Sequence, residues 1–153
     1  MRRLLTLAVL AHCAVLAPAF ADPIEDAIKA RQGYFTLLGA NIGPLAAMAK
    51  GEIEYDAEAA ATHAGNLETL GGYMAAPHFP KGSSNADKPG DTRAQPAIWS
   101  DFSGFTARYG DYKAAVADLP AKVSGGRAEL GAALGAVGAT CKACHDDYRA
   151  KDF

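Results

Sequence analysis

The chain has 153 residues, half of them hydrophobic and 21% charged, with 15 Lys and Arg against 17 Asp and Glu and a formal net charge of −2. That length makes one domain with room for a sizeable core. The mildly acidic balance argues against nucleic acid as a partner.

At the amino end, Arg2 and Arg3 precede an apolar run from Leu4 to Leu16, and Ala19-Phe20-Ala21 forms an A-x-A site. Residues 1–21 therefore read as a cleaved secretory signal, with the functional domain over 22–153. The run is too short to span a membrane and no later one is longer, so the product is expected to be exported, soluble and free of the membrane. Leu10-Ala11-His12-Cys13 is a poor lipid-attachment site, because His12 stands where a small residue is needed. Without the leader's Arg2 and Arg3 the balance is 13 basic against 17 acidic residues. The two cysteines that remain belong to one motif, so no structural disulfide is available.

Asp22 is placed to cap a first helix and Pro23 to occupy its first turn. The spacing then predicts a seam through Ile24, Ile28, Arg31, Phe35, Leu38, Ile42 and Leu45, in steps of three and four, with a bend near Gly43-Pro44 and a stop at Gly51. Asp56 begins a second helix from Ala57 to about Leu70, with Ala60, Ala64 and Leu67 inward and Gly71-Gly72 at its end. From there to Gln95 the composition turns to Pro, Gly, Ser and Asp, which predicts a long irregular crossover. Pro96 opens a third helix with a seam through Ile98, Phe102, Phe105, Tyr109, Tyr112, Val116 and Leu119. After Pro120 and Gly125-Gly126, the fourth helix carries Leu130, Leu134, Val137, Cys141, Cys144 and Tyr148 on one stripe. Four striped helices with no strand pattern predict an all-α, antiparallel four-helix bundle.

Cys141-Lys142-Ala143-Cys144-His145 is a CxxCH string on that last stripe. Cysteines three apart on a helix project from one face, two sulfurs can capture the vinyl groups of a porphyrin, and the adjacent His145 can ligate its iron. The competing readings are a dithiol redox pair, half of a zinc site, or two buried thiols. A redox pair would follow a strand in a βαβ unit, and zinc would need a fourth ligand, for which His63 and His78 are distant candidates with no second motif around them. Haem attachment, with the tetrapyrrole forming part of the bundle core, is the expectation.

The whole chain after the leader resembles the cytochrome c′ family. The matching stretches are Arg31-Gln32-Gly33, the segment 39–56, Thr92-Arg93-Ala94 leading into Pro96-Ala97-Ile98-Trp99-Ser100-Asp101, and Cys141 to Arg149. The resemblance implies a high-spin, five-coordinate haem c, joined through Cys141 and Cys144 and ligated by His145, with Phe35 blocking the other face. It further implies that Arg31 and Gln32 contact the haem propionates or rim, that Thr92 and Arg93 lie near the haem, and that Arg149 stands beside the proximal imidazole. Each has a plainer alternative: Phe35 as an ordinary seam residue, Arg31 in a surface salt bridge, Arg149 capping the helix dipole one turn after His145. His63 reads as a surface residue and His78 as part of the loop. Met48 and Met74 are the candidates for an axial methionine, and Phe35 at the distal position favours the open site.

A vacant iron position walled by a phenyl ring suits small uncharged ligands, NO and CO. Gas binding or NO buffering in the periplasm is thus the expected function, with one-electron carriage to a periplasmic redox partner as the alternative. Enzymatic turnover such as NO reduction or peroxidase chemistry ranks third, because no positioned acid or base is evident on the distal side, and the protein is not expected to be an enzyme. The family's usual homodimer, packed through the first two helices, is expected too, with Gly39, Ala40, Ala47 and Ala61 permitting close approach.

Overall fold

The structure is a computed structural model that describes residues 22–73 and 75–153; the expected leader, Cys13 within it, and Met74 lie outside the described residues. Among the described residues six α-helices follow in order: α1 (Pro23–Lys50), α2 (Ala57–Gly72), α3 (Ala97–Ser100), α4 (Phe102–Ala117), α5 (Leu119–Val123) and α6 (Arg127–Tyr148). α4, flanked by the short helices α3 and α5, takes the place of the expected third helix. These three pack with α1, α2 and α6 as a four-helix bundle. Among the described helices none is long and apolar enough to cross a membrane.

The ends form as their residues dictate. Asp22 Oδ1 accepts from the Ile24 N–H at 2.9 Å with Pro23 in the first turn, and Gly51 closes α1 at φ 76°, in the left-handed region that favours glycine. Asp56 Oδ1 accepts from the Glu58 and Ala59 N–H groups at 2.9 and 3.0 Å, satisfying donors that have no partner within the helix. α1 runs unbroken through Pro44.

The expected third helix is divided. Asp101 leaves helical geometry at φ −133°, ψ 59°, and its Oδ1 accepts from the Gly104 N–H at 3.0 Å, which starts α4 afresh. An aspartate gains more as a cap than as an interior residue. The interruption turns Phe102 outward, 41% exposed, where the even stripe had placed it inward. Pro120 does not end a helix but stands in the first turn of α5, where its missing N–H costs nothing.

Leu45, Leu67, Leu119 and Leu130 have no exposed surface and form the centre of the core with Ile98, Val116 and Val137. Burying each such side chain contributes about 1.5–3 kcal/mol. On α1 the buried positions are Ile28, Arg31, Tyr34, Leu38, Asn41, Leu45 and Met48. Tyr34 and Asn41 thus take the places that the sequence reading gave to Phe35 and Ile42.

The crossover is better ordered than its composition suggests. A short 3₁₀ turn spans Ala76–His78, Ser83, Ser84 and Thr92 are buried, Lys88 reaches Asp22 at 3.1 Å, and Ala94 pairs with Arg149 as an isolated bridge.

Candidate functional site

The two residues displaced from the α1 core line a cavity of about 950 Å³ between the helices. Phe35 and Ile42 enter it from α1, Phe79 from the crossover, Phe105, Tyr109 and Tyr112 from α4, and Cys141, Cys144 and His145 from α6. Such a volume lies at the upper end of the roughly 300–1,000 Å³ of small-molecule and cofactor sites. Phe35 is 43% exposed although its neighbours on the same helix are core; it faces the cavity.

Burial pushes both thiols up, Cys144 to about 11, its largest cause being loss of water. Both cysteines therefore stay protonated at neutral pH. A thiolate is the form that binds zinc or attacks a disulfide, and among the described residues no cluster of three His, Cys, Asp or Glu forms around them. Burial lowers the His145 pKa, with the positive charge of Arg93 adding to the effect. The result is a neutral imidazole, the state in which histidine ligates a metal.

Arg31 is 2% exposed and, among the described residues, pairs with no carboxylate. Its Nη1 donates to Ser83 Oγ at 2.7 Å and to the His78 carbonyl at 3.2 Å; its Nη2 donates to the Ser83 carbonyl at 2.5 Å and to Thr92 Oγ1 at 2.8 Å. The guanidinium also lies 4.8 Å from the centre of the Phe79 ring. Burial brings its pKa down to about 10, which leaves it charged at neutral pH. The surface salt bridge is not formed: Arg31 ties the crossover to α1. Gln32 Nε2 holds the same segment by donating to the Asp91 carbonyl at 2.7 Å.

Arg93 donates to the Lys151 carbonyl at 3.0 Å and lies 5.2 Å from the Phe153 ring centre. Arg149 is not one helical turn beyond His145, as the sequence reading had it. α6 ends at Tyr148, and Arg149 is the C-cap in extended backbone at φ −123°, ψ 123°, its N–H still bonded to the His145 carbonyl at 3.1 Å. The bridge to Ala94 draws the chain off the helix axis. Arg31, Gln32, Phe35, Thr92, Arg93, Cys141, Cys144, His145 and Arg149 all line the one cavity, so the nine expected site residues are brought together.

Three features in and behind the wall are not visible in the sequence pattern. Tyr34 shares a 2.8 Å hydrogen bond with the wall residue Tyr109; the signal was a three-residue step after Arg31 where a four-residue step was taken. Phe79 and Ser83 come from the crossover, where no periodicity exists to reveal them. His63 is not a plain surface residue, since its Nδ1 lies 3.0 Å from the buried Asn41 Oδ1. Met48 is core and does not line the cavity.

The cavity fits a haem on its own chemistry. Its wall is largely apolar, and the charged side chains on it are Arg31, Arg93, Arg108 and Arg149, with no Asp or Glu among the described lining residues. That arrangement favours an apolar body bearing carboxylates. The Tyr112 hydroxyl is buried with no hydrogen-bond partner, a cost that proteins rarely leave uncompensated. A helix bundle whose last helix presents CxxCH to such a cavity has the architecture of a bundle-type haem protein.

Comparison with known proteins agrees. The family model described as Cytochrome C′ matches residues 26–149. The chain is 47% identical to a cytochrome c′ of Cereibacter sphaeroides over 151 residues, covering 99% of both chains. It is 40% identical to a cytochrome c′ of Halomonas halodenitrificans over 134 residues, covering 86% of this chain and 100% of that one. A solved cytochrome c′ from Rhodobacter sphaeroides superposes with a TM-score of 0.82 at 49% identity, covering 86% of this chain and 99% of the other. A nitric oxide complex of a variant cytochrome c prime from Alcaligenes xylosoxidans superposes with a TM-score of 0.72 at 36% identity, covering 86% and 99%. The chain belongs to the cytochrome c′ family, and membership implies a haem c.

Proposed function

We propose that this is an exported, periplasmic cytochrome c′ that binds NO or CO. It would hold one haem c through thioethers to Cys141 and Cys144, with His145 as the iron ligand. The observation that carries this reading is that Cys141, Cys144, His145 and an exposed Phe35 line one apolar cavity. Once bound, the group supplies an iron that changes by one electron and accepts a diatomic ligand. The chain's own residues do the rest. His145 offers a neutral nitrogen. Arg31, already charged and buried, and Arg93, Gln32 and Thr92 form a polar end suited to carboxylates, and Arg149 lies in the same wall. Phe35 brings a ring that cannot ligate metal and that crowds an incoming ligand, so small uncharged molecules are admitted. The nitric oxide complex of the Alcaligenes relative supports the reading.

Electron carriage to a periplasmic partner uses the same couple and stands as the second role. No turnover by acid–base chemistry is proposed, since the described lining residues offer no carboxylate to donate or accept a proton. Homodimerisation through α1 and α2 remains part of the proposal, with the exposed Ala40 and Ala61 on those helices; Gly39 belongs to the cavity wall. The test is the absorption and EPR spectrum of the natively exported protein, ferric and ferrous, with and without NO and CO. Five-coordinate high-spin iron that takes both gases is expected. Free thiols by peptide mass analysis, or a six-coordinate low-spin spectrum, would overturn the proposal.

A further inference from the structure

Four tyrosines form a file that begins on the cavity wall and ends in solvent. Tyr112 and Tyr109, both on the wall, have ring centres 6.0 Å apart; Tyr109 and Tyr34 follow at 6.4 Å; Tyr34 stacks on Tyr73 at 5.4 Å. Tyr34 is 5% exposed and Tyr73 45%. Tyr73 in turn stacks on His78 at 5.8 Å with an interplanar angle of 12°, and its hydroxyl lies 2.5 Å from His78 Nε2. Such ring spacings are ordinary for packed aromatics. The proton acceptors along the file are not uniform.

A phenol that loses one electron becomes a strong acid and persists as a radical only where a base takes its proton. Tyr34 donates to the Leu70 carbonyl at 3.1 Å or to Tyr109, Tyr109 donates to the Tyr73 carbonyl at 2.5 Å, and Tyr112 has no partner. Carbonyls and hydroxyls are not bases. Only at Tyr73 does the file meet an imidazole, whose ring nitrogen can accept the phenolic proton. Off the file, Tyr148 donates to Asp101 Oδ2 at 2.8 Å, but a carboxylate already capping a helix is a weaker base. Trp99 donates to the Phe79 carbonyl at 3.0 Å, again no base.

We propose that Tyr73 and His78 form a proton-coupled redox site that drains oxidising equivalents from the cavity to the surface. The site rests on the reading that the cavity carries a haem, and the co-reactant is hydrogen peroxide. One electron leaves Tyr73 and passes through Tyr34 and Tyr109 to the oxidant in the cavity, while the Tyr73 phenolic proton moves to His78 Nε2, leaving a neutral tyrosyl radical. A one-electron reductant of the ascorbate class then restores the electron, and His78 returns the proton. Two such electrons, with two protons from solvent, reduce one peroxide to two waters.

The experiment mixes ferric holoprotein with hydrogen peroxide and records freeze-quench EPR, with ring-deuterated tyrosine incorporated to identify the signal. Haem content is measured first in every variant, so that failure of the cofactor reading is told apart from failure of the tyrosine route. The expected result is a tyrosyl signal that is lost in Tyr73→Phe, shortened in lifetime in His78→Gln, and reduced in yield in Tyr34→Phe. A photo-oxidant in solution is expected to restore the Tyr73 radical in Tyr34→Phe, since it reaches the exposed ring directly. A signal that persists in Tyr73→Phe, a tryptophanyl signal from Trp99, an undiminished yield in Tyr34→Phe, or no radical from haem-replete protein overturns the proposal.

Discussion

Replacing Arg31 by Met keeps an unbranched stem of similar reach and removes the four donations that bind the crossover to α1. Not all four acceptors are then stranded. Ser83 Oγ still donates to the Pro80 carbonyl at 2.8 Å, and Thr92 Oγ1 still accepts from the Ala94 N–H at 3.2 Å. The His78 and Ser83 carbonyls lose this partner, and a buried acceptor left unpaired costs about 1–3 kcal/mol. Against this stands relief from burying a charge. The fall of the Arg31 pKa from 12.5 to about 10 corresponds to roughly 3 kcal/mol of desolvation, part of which the Phe79 ring and the lost charge-assisted bonds already offset in the native protein. A net loss of about 2–4 kcal/mol follows for Arg31→Met, the range seen when one member of a buried polar network is removed. Arg31→Lys is not expected to rescue it, because a single ammonium cannot reach Ser83 and Thr92 as the guanidinium fork does. Guanidinium unfolding of the holoprotein measures the loss, and trypsin cleavage after Lys81 and Arg93 reports the crossover locally. A change within about 0.5 kcal/mol, typical of a surface substitution, together with unchanged cleavage would refute the reasoning.

Phe35→Ala is expected to speed CO association at least about tenfold, equivalent to roughly 1.4 kcal/mol of crowding removed from the barrier; flash photolysis measures it, and an unchanged rate would show that the ring does not limit entry. The pKa values of Asp22 and Asp101 are lowered, Asp22 chiefly by the Ile24 N–H and then Lys88, Asp101 chiefly by the Tyr148 hydroxyl and then the Gly104 N–H. Groups held below the ordinary aspartate value of 3.8 stabilise the fold above that pH and lose their contribution as pH falls through their native values. Stability is therefore expected to drop on acidification below about pH 4, and Asp101→Asn to flatten that limb in a pH series of denaturation midpoints. Gly71→Ala would place a Cβ 2.6 Å from Val116 Cγ2, so a loss of about 1–3 kcal/mol is expected, partly restored by Val116→Ala in the same chain; thermal unfolding of the single and double variants decides it.

The helices were legible because their signals are local. Asp22, Asp56 and Gly51 each act within one turn, and the Leu and Val positions of α6 repeat without interruption. The break at Asp101 was not legible, since the four-three stripe passes smoothly across it and only competition between capping and continuing the helix decides the outcome. The site was legible on α1 and α6, where motif and stripe coincide. On the crossover only Thr92 and Arg93 could be named, and those by resemblance. Phe79 becomes a wall residue and Ser83 its buried support because Arg31 draws the loop inward, a contact separated by 52 residues between Arg31 and Ser83. Arg149 was misplaced for a related reason: its partner Ala94 lies far off in the chain, and helical spacing carries no trace of it.

The difference between the expected and observed seams of α1 has a physical meaning beyond register. Two stripes run along that helix. Tyr34 and Asn41 face the protein, bonding to Leu70, Tyr109, His63 and Asn66, while Phe35 and Ile42 face the cavity. An isolated bundle would need only the first stripe, and the second would be surplus apolar surface, which a helix seldom carries unless something covers it. On α6 the surplus stripe is Cys141 and Cys144, half-buried against the same cavity, and on α4 it is Phe105 and Tyr109. The surplus stripes of three helices converge on one volume together with four arginines and, among the described lining residues, no carboxylate. Hydrophobic periodicity alone therefore counted more core than the polypeptide can use, and the excess is the part of the core that a flat, apolar, carboxylate-bearing cofactor completes.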